Sequence, residues 1–436
     1  MKMLNRLLAA VMALMLCCVP AFAETATSVD DVLVTVNNVP VTRGEFDEYL
    51  ANLQSFYSQY YDVTSAEIAP LLNEIALTTL VQFKLMDQKI IDLGLALTDE
   101  EKADATQTAR EEWEAVINDG MTYYGITDES TEDERAAMLL QILAELESMG
   151  YTEEAYIEEA VLNAGYDKLD AEIVKDVTVT DEEVVAHYNE LVASDEVAYK
   201  NDAAAYENMQ SMNNMYLMYG YTDYYIDLYY MPEGYRSVTH ILLSADEALL
   251  TAYADLQALY EEQQLALEEG TEVTGTLVTA EEIEAARLAI IANVQPTIDE
   301  INAKLAEGVA FADLIPQYTA DPGMSDAAAI AEGYAVHMDS IAWVTEFRDA
   351  AFTVDNIGDV TEPVVTDYGV HILQYTGDIP GGPVELTDDL KEVLRQELLA
   401  SAQSDVYTDT LNQWMEEAEI VYSDEAKAML PTETAE

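Results

Sequence analysis

The 436-residue sequence predicts an α+β protein, mainly helical at first and mixed α and β beyond residue 236. Three observations carry that expectation. Threonine–glutamate pairs spaced three apart precede helical apolar patterns at Thr42/Glu45, Thr98/Glu101, Thr180/Glu183 and Thr279/Glu282. Such a pair is a capping box, which satisfies two free amides at a helix start. Two near-identical apolar words, Thr239-His240-Ile241-Leu242 and Val370-His371-Ile372-Leu373, read as short strands. Finally, 50% of the residues are hydrophobic, enough to build real cores, and at roughly 100–200 residues per domain the length implies two or three of them.

The elements follow in chain order. Lys2 and Arg6 precede an apolar run from Leu7 to Val19, and Pro20-Ala21-Phe22-Ala23 offers a small-residue exit. This reads as a secretory signal peptide over 1–23, since the run falls short of the ~20 residues of a membrane span. Cleavage after Ala23 would remove both cysteines, Cys17 and Cys18, leaving no thiol nucleophile, disulfide or cysteine-bound metal. Leu16 stands where a lipid-attachment motif takes a small residue, so lipid anchoring is not expected. No second apolar run approaches spanning length, so no stable membrane insertion is expected after cleavage, and 430–434 reads as a frayed terminus.

Val32, Val34 and Val36 alternate with polar residues, Asn37-Asn38 turns the chain, and Val39 and Val41 return it. A helix starts at Thr42 and runs through Phe46, Tyr49, Leu50 and Leu53. Residues 42–195 read as helical, with a polar joint near Asp128 to Asp133. Residues 196–235 crowd ten tyrosines and five methionines together. They read as a linker or insertion whose tyrosines pack onto their neighbours; a sticky surface for unfolded chains or sugars is the competing reading. From 236 the pattern gives a strand at Val238–Leu243, an acidic helical stretch over 245–308 broken near Gly270–Gly275, and a short helix at Phe311–Tyr318. A turn and strand within Thr361–Tyr375 follow, and after Gly381-Gly382-Pro383 comes an amphipathic helix from Thr387 to Ala418.

Eighteen Lys+Arg against 85 Asp+Glu give a formal net charge of −67. That balance argues against nucleic acid or anionic membrane as a partner, because both need clustered basic residues. The chain contains no G-x-S-x-G, phosphate-binding loop, dinucleotide fingerprint, H-E-x-x-H or EF-hand loop, so no metal site is expected. Among the four histidines, His240 and His371 open the two strand words. In neighbouring strands their imidazoles would face one side together. Taken singly, each reads more readily as a structural histidine than as a catalyst. His337 reads as a surface residue.

Five stretches in order resemble a parvulin-type (PpiC) peptidyl-prolyl cis-trans isomerase domain: Arg236–Leu242, Leu305–Leu314, Gln317–Gly323, Glu346–Phe352 and Gly358–Leu373. Val34–Tyr49 and residues 389–422 are similar to the opening and closing segments of SurA/PrsA-type exported foldases. The resemblance implies a mainly helical chaperone domain built from N- and C-terminal segments, with a parvulin-like domain inserted between them as a small antiparallel sheet with surrounding helices. The implied bounds are 24–195 for the N-terminal helical domain and 196–235 for the Tyr/Met-rich linker. Residues 236–380 would form the isomerase domain with a helical insertion about 245–300, and 385–425 the returning helix. The resemblance further implies non-covalent rotation of X-Pro bonds without a cofactor, with unfolded or newly translocated polypeptides as partners. It maps a catalytic cluster onto His240, Asp321, Thr366 and His371, and a proline cup onto Ala335, Trp343 and Phe347.

This chain departs from the family at 332–338, where Glu332-Gly333-Tyr334-Ala335-Val336-His337-Met338 stands in place of a glycine-rich word. Strained turns are expected there without glycine. Two other functions remain in view: a non-catalytic peptide-binding platform on the same fold, and a surface glycan- or ligand-binding protein using the tyrosine-rich segment.

Overall fold

The structure, a computed structural model, describes residues 29–273 and 275–431. The expected signal peptide, with Cys17 and Cys18, lies outside the described residues, as do Thr432 to Thr434 of the expected frayed end. Two compact units emerge: one joins the chain up to Thr180 to the chain from Arg395 onward, and the other spans Asp181–Leu394. Residues 181–195, expected in the helical domain, therefore fold with the second unit. So does the Tyr/Met-rich segment 196–235.

The first unit opens on a hairpin of β1 (Val32–Val36) and β2 (Val39–Thr42). Asn37 and Asn38 both adopt positive φ, 50° and 67°, as a two-residue hairpin of type I′ requires, and asparagine tolerates that region. Helices follow at α1 (Arg43–Tyr57), α2 (Ile68–Asp92), α3 (Asp99–Tyr123), α4 (Glu132–Ser148) and α5 (Glu153–Val174). Capping boxes start α1 at Thr42 and α3 at Thr98, and a further one starts α4 at Thr131. The core joins Leu33, Val34, Val36 and Val41 to Phe46 and Leu53 of α1 and to Leu77, Val81 and Leu85 of α2.

In the second unit, α6 (Asp181–Tyr199) and α7 (Ala203–Met218) bring Tyr199, Ala203 and Tyr206 into a buried cluster with Tyr235. Tyr219, Tyr221, Tyr224 and Tyr225 stay exposed, so the segment divides between packing and surface. β3 (Tyr230–Met231) leads to β4 (Arg236–Leu243). A helical hairpin of α8 (Glu247–Glu269) and α9 (Ala280–Ala306) follows, with Gly270 left-handed at the end of α8. Gln263, 3% exposed, staples the connection by donating to the Thr276 carbonyl and accepting from the Val278 amide.

Next come α10 (Phe311–Tyr318), α11 (Ala327–Glu332), β5 (Tyr334–Val336), α12 (Thr345–Ala350), β6 (Val364–Thr366), β7 (Gly369–Asp378) and β8 (Gly382–Pro383). The main sheet is antiparallel in the order β5-β4-β7-β6, and β3 pairs with β8. Because side chains alternate along a strand, this sheet has two distinct faces. One presents Ile241, Leu243, Val370 and Ile372, packed on Ile290, Val294, Ile298 and Ile301 of α9 and Leu314 and Ile315 of α10. The other presents His240 and His371.

The chain then returns to the first unit through α13 (Asp388–Glu417), β9 (Ile420–Tyr422) and α14 (Asp424–Met429). β9 pairs antiparallel with β1, which thus lies between β2 and β9. Asn37 exchanges two hydrogen bonds with Glu419, its backbone amide donating at 2.9 Å and its side-chain oxygen accepting at 2.9 Å. Ala426 of α14 is a fully buried member of the first core. Among the described residues no helix is long and apolar enough to cross a membrane.

Candidate active site

The histidine face is set by strand register. His240 of β4 lies opposite Leu373 of β7, and Leu242 lies opposite His371. The two imidazoles are therefore diagonal neighbours on one face, a spacing that long or aromatic side chains bridge. Their rings stack 18° from parallel with centroids 5.1 Å apart, and their Nδ1 atoms are 3.0 Å apart. Both residues are almost fully buried, at 2% and 5% exposure.

The loop after α10 brings in the carboxylate. Thr319 Oγ1 accepts from the Leu242 amide, and the Ala320 amide donates to the Leu242 carbonyl at 2.8 Å. This clamp onto β4 aims Asp321 at His240: Asp321 Oδ2 stands 2.6 Å from His240 Nε2. The same oxygen accepts from the Tyr334 hydroxyl at 2.7 Å, while Oδ1 accepts from the Gly323 amide at 2.9 Å. Gly323 is required for this approach, since a Cβ there would meet the Tyr334 hydroxyl oxygen at 1.9 Å. At the other end, Thr366 Oγ1 lies 2.8 Å from His371 Nε2 and accepts from the Tyr368 amide at 3.1 Å.

Electrostatics fix the direction of this chain. Burial lowers the pKa of His240, partly offset by Asp321. Burial, then the neighbouring His240, pushes His371 down to about 3. Burial alone would raise Asp321, but the Tyr334 hydroxyl, the Gly323 amide and His240 together hold it below the ordinary carboxylate value. At neutral pH the aspartate is thus ionised and both imidazoles are neutral. An ionised carboxylate only accepts, so His240 donates through Nε2–H and must accept at Nδ1. His371 then donates through Nδ1–H and accepts at Nε2 from the Thr366 hydroxyl. One proton order runs from Thr366 through His371 and His240 to Asp321.

Above this chain lies a pocket of about 540 Å³ whose walls include His240, Asp321, Tyr334, Trp343, Phe347 and His371. Phe347, 3% exposed, meets both imidazoles nearly edge-on, at 5.1 and 5.3 Å between centroids, and stacks on Trp343 at 5.3 Å. The structure therefore gathers His240, His371, Thr366 and Asp321 into one network and sets Trp343 and Phe347 on the same pocket. Thr366 supports from behind His371 and does not line the cavity.

Ala335 is a correction: it is not a wall of the pocket. Strand alternation in β5 turns Tyr334 and Val336 inward and Ala335 out to solvent. Ala335 contributes only its carbonyl, which accepts from the Trp343 indole at 2.9 Å. The inward position belongs to Tyr334, which the sequence pattern did not single out, although the large-small-large word Tyr334-Ala335-Val336 carried the signal. Turn strain across 332–338 is likewise absent: within that word only Gly333 takes a positive φ, 70°. His337 is half-buried rather than a surface residue, accepting from the Asp339 amide at Nδ1 and donating from Nε2 to the Glu233 carbonyl.

Residues 1–111 match a SurA-like N-terminal domain, and residues 276–377 match a PPIC-type PPIase domain. The second match takes in Asp321, Trp343, Phe347, Thr366 and His371, while β4 with His240 precedes it, set apart by α8. Foldase protein PrsA 3 of Bacillus anthracis is 29% identical over 136 residues, which is 31% of this chain and 46% of that protein. Foldase protein PrsA of a Geobacillus strain is 33% identical over 121 residues, 26% of this chain and 40% of that protein. The chain thus spans less than half the length of these curated relatives. A solved structure from work on the SurA-like chaperones PEB4 and Cj1289 of Campylobacter jejuni aligns with 90% of this chain and 99% of its own, at 10% identity and a TM-score of 0.30.

Proposed function

We propose that this protein is an exported peptidyl-prolyl cis-trans isomerase and chaperone acting on unfolded or newly translocated polypeptides that contain X-Pro bonds. The observation that carries the reading is the join of a neutral, buried histidine pair to an ionised Asp321 on the wall of an aromatic pocket. Rotation about a peptide bond is slow because resonance stiffens the C–N bond, with a barrier of about 18–20 kcal/mol. The planar amide places partial negative charge on its oxygen and partial positive charge on its nitrogen, and the twisted state loses that separation.

A proline ring seated against Phe347 and Trp343 would leave its preceding carbonyl beside Asp321. A fixed negative charge in a water-poor site disfavours the charge-rich planar amide relative to the twisted one. That is catalysis by differential binding, with no covalent step. The histidines act as a rigid, uncharged support that keeps the Asp321 carboxylate oriented. Export is supported by the signal-like N-terminus, and the chaperone role by the SurA-like match and by the foldase relatives.

A protease-coupled assay on a proline tetrapeptide tests the catalytic half. A rate above the uncatalysed interconversion, lost in Asp321→Ala, is expected; folded protein giving only the background rate refutes it. Suppression of aggregation of an unfolded client by the full chain tests the chaperone half separately.

A further inference from the structure

Glu207 lies on α7, far in sequence from the pocket and outside the PPIC-type match. It is nevertheless buried, at 8% exposure, and aimed at the pocket loop. Its Oε2 accepts from the Ser340 hydroxyl at 2.8 Å and from the backbone amides of Ile341 at 2.8 Å and Ala342 at 3.1 Å. Its Oε1 accepts from the Tyr235 hydroxyl at 3.1 Å. Two consecutive amides and a hydroxyl converging on one carboxylate oxygen form a small anion-receiving concavity, here filled by a side chain.

The loop so gripped joins β5 to α12 and takes no place in the sheet ladder. It carries Ala342, Trp343 and Val344 directly into the pocket wall. A buried carboxylate is costly to keep unless its acceptor sites are filled, and the loop fills them. We propose that Glu207 is a positioning residue for the pocket: it holds the 340–344 loop so that Trp343 closes one wall against Tyr334 and Phe347. The inference rests on the isomerase reading for its effect on turnover, whereas the anchoring of the loop stands apart from it. It also assigns a task to the Tyr/Met-rich segment, whose helix supplies the anchor.

The test uses the full chain with Trp113→Phe and Trp414→Phe, leaving Trp343 as the only indole. In Glu207→Ala, acrylamide quenching of Trp343 should rise at least about twofold, and KM for a proline tetrapeptide should rise about tenfold with kcat little changed, the loss of one charge-assisted anchor read as binding. Glu207→Gln, whose amide oxygen can still accept from the loop while its NH₂ donates to Tyr235, should restore both to within about threefold. A folded Glu207→Ala with unchanged quenching and KM overturns the proposal, as does Glu207→Gln behaving like Glu207→Ala.

Should Glu207→Ala fail to fold, Ser340→Ala removes a single donor and should raise KM about threefold. No change in KM or quenching in that variant overturns the proposal equally. If the parent protein shows no isomerase rate, the functional reading falls, and Trp343 quenching alone still decides whether Glu207 holds the loop.

Discussion

Replacing Asp321 with asparagine is the sharpest probe of the proton order deduced for the site. The side chain keeps its size but exchanges one acceptor oxygen for an NH₂ group. If the amide oxygen takes the place of Oδ2, the NH₂ faces the Gly323 amide, and two donors confront one another where a bond of 2.9 Å stood. Leaving that amide unsatisfied costs about 1–3 kcal/mol. In the other orientation the NH₂ has two hydrogens for two partners, His240 Nε2 at 2.6 Å and the Tyr334 oxygen at 2.7 Å. This arrangement wins, and it forces a reversal. His240 must accept at Nε2 and donate from Nδ1; His371 must accept at Nδ1 and donate from Nε2 to Thr366.

Three charge-assisted bonds become neutral ones, which contribute roughly 1 kcal/mol less apiece, so the unit should lose about 2–3 kcal/mol. Long-range proton–nitrogen NMR of the imidazoles reads the switch directly, and urea unfolding followed at Trp343 reads the energy. With the charge gone, kcat/KM for a proline peptide should fall about 10–100-fold. A folded Asp321→Asn protein that retains the parent tautomers at both histidines would refute the deduced order.

Three further outcomes are expected. Gly333 has φ 70° and ψ −178°, and a Cβ there would meet Ser237 Oγ at 2.5 Å and the Val238 carbonyl oxygen at 2.9 Å; Gly333→Ala should cost about 2–4 kcal/mol by urea denaturation. His371 titrates near 3 when folded against 6.5 as a free group, so the unfolded chain binds its proton first. That stability is whole above pH 6.5 and is lost as pH falls towards 3, and His371→Gln should flatten that acid slope of unfolding. In the first unit, burial and then Asp167 raise Asp170 to about 6, and its Oδ1 is buried without a hydrogen bond. This contribution runs the other way, present below about pH 4 and lost as pH rises through 6. Asp170→Asn should therefore stabilise that unit by about 1–3 kcal/mol at pH 7 and by little at pH 4, read by the fluorescence of Trp113 and Trp414.

Local signals in the sequence anticipate local structure well. The capping boxes at Thr42, Thr98 and Thr279 form with both reciprocal bonds, and the Asn37-Asn38 turn takes the φ values its residues favour. Gly270 ends α8 in a left-handed conformation, as a glycine there suggests. The paired strand words bring His240 and His371 together because register, a property of the pattern, decides which side chains share a face.

What the sequence hid is of two kinds. Ala335 against Tyr334 is a one-residue question of face, and in a strand one residue inverts the answer. Glu207 is a question of distance along the chain: nothing near it signals that Ser340, Ile341 and Ala342 fold onto it. The division of the tyrosines was equally hidden, since Tyr206 and Tyr219 look alike in sequence and only packing separates them.

The position of β1 between β2 and β9 has a consequence for biosynthesis. A chain is made from its N-terminus, so β1 exists long before the residues that form β9. Until the last segment emerges, β1 exposes an unpaired edge and Ala426 is missing from the core around Leu33 and Leu77. The 181–394 unit, by contrast, has all its strands in one continuous stretch and can complete itself first. The order of maturation is then inside before outside. A ribosome stalled, or a protease cutting, just after Leu394 would release a molecule with a finished pocket and an unfinished, aggregation-prone partner unit, the very kind of client this protein is proposed to serve.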